Sequence, residues 1–122
     1  MEAMTRPLIL LYSDDSAVRA QVRSAVGPEF DLHEVATGPG VVTAADRQPW
    51  DLMILDGEAG KDGGMGLCRQ LKNEIRDCAP VLVLTGRPDD AWLASWSLAD
   101  GVLPRPLDAI SVQRAVSDLL RR

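Results

Sequence analysis

The chain lacks the features that mark several large protein classes. Aromatic residues make up only 4% of its 122 residues, and there is a single histidine, His33. The two cysteines, Cys68 and Cys78, have no metal-like spacing and suit a reduced compartment and a structural role. No run of positive charge is present. Thirteen basic residues against eighteen acidic ones leave a net charge of −5, a poor match for the phosphates of nucleic acid. The longest uninterrupted apolar run, LILLY, is far too short to span a membrane. The opening MEAMTRP has no apolar signal core. These absences lead us to expect a small acidic domain in the cytoplasm, with neither nucleic acid nor membrane as partner.

What is there is ordinary globular composition, 46% hydrophobic and 25% charged, at a length that suits one domain. Residues 1–6 read as a disordered tail and 7–122 as the domain. No repeat, linker or low-complexity segment interrupts it. Residues 8–12 are continuously apolar, as expected of a strand buried on both faces. Asp14, Asp15 and Ser16 follow as cap formers, with Ser16 assigned the capping role and Asp15 a cap or turn residue. Val18, Val22, Ala25 and Val26 then recur at helical spacing up to the stop at Gly27-Pro28. A weaker strand covers 30–35. Pro39 and Gly40 open a second helix with Val41, Val42 and Ala45 inward, ended by Pro49. Residues 52–55 form a second buried strand ending at Asp56. A glycine-rich loop leads to a third helix carrying Leu67, Cys68, Leu71 and Ile75. Residues 81–84 form the next strand, ending at Thr85. Asp89 or Asp90 caps a fourth helix that runs to about Ala99. A short run at Val102 and Leu103 meets Pro104-Arg105-Pro106, and a last helix carries Val112, Val116, Leu119 and Leu120.

Five strand signals alternating with five helix signals imply an α/β fold. The expected form is a five-stranded parallel sheet, flavodoxin-like (βα)5, with strand order 2-1-3-4-5. In such sheets the site lies beyond the carboxyl ends of the strands. Those ends carry Ser13-Asp14-Asp15, Asp56, Thr85-Gly86-Arg87 and Arg105-Pro106. A single aspartate after a strand is ordinarily a cap. Four strand ends with compatible chemistry mark a site. Converging carboxylates need a cation between them, for which Mg²⁺ is the natural choice. A carboxylate at such an edge can attack a phosphoryl group and form an acyl phosphate. A metal, a hydroxyl and a cationic side chain would stabilise the transferring charge.

With these residues the chain resembles the receiver domain of bacterial response regulators over about residues 7–120. The resemblance rests on LILLYSDDSAVR, on WDLMILD with a glycine eight positions after its aspartate, on VLVLTG, and on RP before the last helix. GGMGLCRQLK and LVLTGRPDDAWLASWS are similar to a group of atypical stand-alone actinobacterial receivers. The excess of eleven arginines over two lysines fits a GC-rich genome. The resemblance implies Asp56 as phosphoacceptor, Thr85 as switch hydroxyl and Asp14 as direct Mg²⁺ ligand. Asp56 and the backbone carbonyl of Glu58 complete the metal set. It also shows departures. Ser13 stands where the family has the first of two acids. Aligning Asp14 and Asp15 as the pair instead would shift the following helix by one residue, so Ser13 is preferred as a true loss. Arg105 stands where it has lysine, and Val102 where it has an aromatic switch residue. Ala59-Gly60 replaces Met-Pro. Arg105 is expected to grip Asp56 or Asp14 bidentately, in the space that metal and phosphate need. The expectation is a non-enzymatic signalling module with weak Mg²⁺ binding and weak or absent phosphorylation, acting mainly by protein–protein contact. The alternative is a conventional receiver phosphorylated on Asp56 by a histidine kinase.

Trp92 and Trp96 lie four apart in the expected fourth helix, whose apolar residues span well over half its circumference. They are either an oversized core stripe or a partner-binding patch. The resemblance favours the patch, since the fourth helix, fifth strand and fifth helix form the usual output and homodimer surface of receivers. His33 has no second ligand nearby in sequence and is not read as a metal site. Trp50 reads as a core plug. A phosphatase using an aspartate after the first strand would need an acid two residues on and a lid, and neither is present. An FMN carrier would need a hydroxyl-rich phosphate loop. No output domain is expected within the chain, so any effect would come from binding another molecule.

Overall fold

A computed structural model describes residues 6–60, 63–87, 92 and 96–121. Five parallel strands form one sheet: β1 (Leu8–Tyr12), β2 (Asp31–Val35), β3 (Leu52–Asp56), β4 (Val81–Thr85) and β5 (Gly101–Pro104). Their order is β2-β1-β3-β4-β5, as the alternation of the sequence implied. The described helices are α1 (Ser16–Val26), α2 (Gly38–Arg47), α3 (Gly64–Glu74) and α4 (Ala109–Leu120). None is long and apolar enough to cross a membrane.

The three central strands are the continuously apolar ones because helices cover both of their faces. Alternate side chains feed two cores. Ile9, Leu11, Ile54, Leu82 and Leu84 pack with Val18 and Val22 of α1 and Val112 and Val116 of α4. Leu10, Tyr12, Met53, Leu55, Val81 and Val83 pack with Val41 of α2 and with Leu67, Cys68 and Leu71 of α3. β2 and β5 are the edges. Edge strands bury less, which is why the β2 signal is weak in sequence.

Several local expectations are corrected. The cap of α1 is Asp15, whose carboxylate accepts the Ala17 N–H at 2.9 Å, and Ser16 is the first helical residue. The longer, charged acceptor reaches the orphan donors two residues on. Thr37 caps α2, while Pro39 and Gly40 lie in its first turn and Val42 and Ala45 pack inward against the second core, as expected. Ile75 ends α3 as its C-terminal cap instead of continuing it. Asp89, Asp90, Ala91, Leu93 and Ala94 lie outside the described residues, as do residues 1–5. Trp92 and Trp96 are helical, but Ser97 and Leu98 form a turn and Leu98 has φ 69°. The helix therefore does not reach Ala99, since a left-handed leucine ends it. The two tryptophans are 69% and 51% exposed, so the oversized-core reading is also corrected. The Arg69 guanidinium lies over the Trp96 ring at 4.8 Å from its centroid.

Candidate functional site

The parallel registers bring the strand ends together. Tyr12 pairs with Leu55, Asp56 with Leu84, and Thr85 with Pro104. Ser13, Asp56, Thr85 and Arg105 therefore leave neighbouring strands at one edge of the sheet. Close packing holds the loop after β3 there. A Cβ on Gly64 would lie 2.6 Å from the Asp56 carbonyl oxygen, and one on Gly57 would lie 2.8 Å from the Leu84 carbonyl oxygen. Only glycine lets α3 start this close to the strand end.

Asp56 is the centre of the cluster and is 2% exposed. Its Oδ2 accepts the Ser13 hydroxyl at 2.8 Å. Its Oδ1 accepts the Glu58 N–H at 2.9 Å and the Arg105 Nη2 donor at 2.9 Å. Ser13 is fully buried and is itself held on two sides. Its Oγ accepts the Asp15 N–H at 3.0 Å, and its carbonyl accepts Arg19 Nη1 at 2.7 Å. Arg105 divides its fork. Nη1 donates to the Thr85 carbonyl at 3.1 Å while Nη2 meets Asp56. The expectation of a bidentate grip on one carboxylate is thereby corrected: the guanidinium joins two strand ends. The Arg105–Pro106 peptide is cis.

The other sequence-derived residues stand around this cluster. Thr85 is fully buried, and its hydroxyl donates to the Arg87 carbonyl at 3.3 Å. Its main chain, through Arg105, connects to Asp56. Asp14 accepts the Gly60 N–H on Oδ2 at 2.8 Å and so ties the β1–α1 loop to the glycine-rich loop. Among the described residues, Trp92 and Trp96 make no hydrogen bond or ring contact with the cluster, and both are exposed. The sequence carries little sign of two of the roles in this network. Ser13 donates a hydrogen bond to Asp56, and Arg19 holds its backbone. The signal for the first was a small hydroxyl beside a carboxylate. The second had none beyond a cation one turn into the helix.

The donor set can be tested against Mg²⁺, which receiver domains typically bind at their acidic site. A hard divalent ion requires open carboxylate oxygens. Both Asp56 oxygens already accept donors, one of them cationic, and Ser13 offers a hydroxyl in place of an acid. Among the described residues no three acidic, histidine or cysteine groups converge on one point. As arranged, these residues do not fit the ion.

Comparison with known proteins agrees with this architecture. No family model matches the chain. A response regulatory protein of Mycobacterium tuberculosis is 50% identical over 127 aligned residues, covering 98% of this chain and 96% of that protein. Among solved structures, the receiver domain of the Francisella response regulator 1452 superposes with a TM-score of 0.85 at 18% identity, covering 96% of this chain and 98% of that one. The chemotaxis response regulator CheY4 of Vibrio cholerae gives a TM-score of 0.82 at 18% identity, covering 94% and 99% respectively.

Proposed function

The chain belongs to the response-regulator receiver family of two-component signalling, and from that premise we propose that it signals mainly by protein contact, with slow or absent phosphorylation of Asp56. The observation that carries this reading is the closed network on the Asp56 carboxylate, made by Ser13, the Glu58 N–H and Arg105. To attack phosphorus, a carboxylate oxygen must present a lone pair along the line of attack, and three donors, one of them cationic, already draw charge from this carboxylate. A hydrogen bond to a charged group stabilises by about 1.5–3 kcal/mol, so opening this network raises the barrier. Loss of an acid at position 13 weakens Mg²⁺ binding, because affinity follows ligand charge. Each missing charge contact at the transferring group costs roughly 2–4 kcal/mol, by analogy with an oxyanion-hole donor. Together these slow phosphoryl transfer by several orders of magnitude.

In this reading Asp14, Asp56 and the Glu58 carbonyl are what remains of a metal set, closed to the ion while Ser13 and Arg105 hold Asp56, and Thr85 and Arg105 are the residual switch groups. Trp92 and Trp96 are the contact residues for a protein partner, a histidine kinase or a second copy of the chain, in the cytoplasm. Their exposure supports the assignment, since aromatic side chains are the commonest interface anchors. The test is incubation with acetyl phosphate and Mg²⁺, followed by intact-protein mass. Little or no phosphoryl adduct is expected over the time in which a conventional receiver is saturated. Rapid addition of a single phosphoryl group, absent in Asp56→Asn, would support the conventional phosphoacceptor instead.

A further inference from the structure

β2 is one edge of the sheet and pairs only with β1. The Asp31 N–H donates to the Pro7 carbonyl, and the Val35 carbonyl accepts the Ser13 N–H. Residues 31, 33 and 35 thus turn their peptide groups toward β1. Peptide groups of successive strand residues point to opposite sides, so Leu32 and Glu34 turn theirs away from the sheet.

A groove of about 850 Å³ runs along this side, between β2 and one stripe of α2. Consecutive strand residues from Leu32 to Val35 line it. It therefore meets the backbone edge of the strand and not only one face. Its floor is aromatic. His33 and Trp50 pack edge to face with centroids 5.1 Å apart, and the Trp50 indole N–H is fixed on the Ala44 carbonyl at 3.0 Å. Thr43 and Arg47 of α2 form the wall. The Glu34 side chain points to the other face, where Arg23 Nε lies 2.6 Å and Arg19 Nε 3.5 Å from its carboxylate. Arg47 is exposed and makes no ion pair among the described residues, so it is the unneutralised full charge bordering the groove.

We propose that this groove binds an extended peptide of a partner protein, added as a further strand on β2 and carrying a carboxylate to Arg47. Outward peptide groups two residues apart match the donors and acceptors of an extended chain. The short strand and its polar side chains, Asp31, His33 and Glu34, discourage indiscriminate edge pairing. An occupant must therefore bring its own recognition: an apolar side chain for the His33–Trp50 floor and an acid for Arg47. Among the described residues the groove adjoins the Asp56 cluster only through the Val35–Ser13 backbone bond and the Arg19–Glu34 pair, and peptide binding is read without phosphorylation, so the proposal stands or falls separately from the phosphorylation reading.

The test is selection of a displayed library of random linear peptides on the immobilised full chain, then titration of a synthesised binder. The expected binders alternate β-branched or aromatic residues and include Asp or Glu. Binding should slow hydrogen exchange at the Leu32 and Glu34 amides. N-methylation of alternate peptide amides should abolish it, although every side chain remains. Arg47→Glu should weaken it by about tenfold, with recovery when the peptide acid is changed to lysine. Arg47 is solvent-exposed, and unchanged far-UV circular dichroism would confirm that the variant folds. The proposal is overturned if no peptides are enriched over the Arg47→Glu chain, or if the N-methylated peptide binds equally. Protection elsewhere would also overturn it, as would protection of Leu32 and Glu34 that comes from self-association seen in sedimentation.

Discussion

A buried carboxylate is tolerated only when donors surround it, and Asp56 has a hydroxyl, a peptide N–H and a guanidinium. The two halves of its ion pair are not equivalent. The Asp56 side chain is 3% exposed and that of Arg105 is 28% exposed. Removing Arg105 leaves a buried charge with two neutral donors. Removing the aspartate charge leaves a guanidinium that can turn to water. Arg105→Ala should therefore destabilise by about 3 kcal/mol, and Asp56→Asn by much less, as read from urea denaturation midpoints. Equal losses would contradict the asymmetry. Position 56 and position 105 were legible in sequence because the strand-end rule selects them. The partners were less so. A sequence shows that Ser13 is not an acid, but not that its hydroxyl turns to Asp56. Nor does it show that a guanidinium with several donors divides them between a carboxylate and the Thr85 carbonyl.

The strands and the amphipathic helices were legible because burial on both faces, or on one stripe, leaves a periodic trace. Caps and ends were not. Asp14, Asp15 and Ser16 are all cap formers, and only the backbone turn after β1 decides that Asp15 faces the free donors. The left-handed Leu98 that ends the helical segment after β4 has no sequence mark, since leucine rarely adopts that conformation. Between elements, Glu34 clamps β2 to α1. The Arg23 hydrogen bond holds its carboxyl below the ordinary value, with burial opposing and the Arg23 and Arg19 charges assisting. A folded pKa below the unfolded one means that this stabilisation is full above the unfolded carboxylate range. It is lost as pH falls through the folded value. Glu34→Gln should cost less than about 1 kcal/mol at pH 7, because the pair is solvent-screened. The difference from the parent should vanish well below pH 4 in urea titrations, and a difference that grows there would contradict the assignment.

The whole molecule is a sheet between two separate cores, and its thiols report on one of them. Cys68 is fully buried between α3 and the sheet, and burial pushes its thiol up to about 11, with the Ser97 hydrogen bond opposing. Cys78 is only partly buried and is also pushed up by burial. At pH 8 only about one Cys68 thiol in a thousand is ionised, and it has no access to solvent. Iodoacetamide should thus modify Cys78 first, and Cys68 only at the rate of global unfolding, in peptide-mapped mass spectra. Early loss of Cys68 would show that this core opens locally. At this same scale, the receiver fold surrounds Asp56, the proposed phosphoacceptor, whose carboxylate is ion-paired with Arg105. The most direct test compares phosphoryl labelling of the parent chain with that of the Ser13→Asp/Arg105→Lys double variant, using acetyl phosphate, Mg²⁺ and intact mass. Labelling should be at least about a hundredfold faster in the double variant, all of it abolished by Asp56→Asn. Equal rates in the two chains would contradict it.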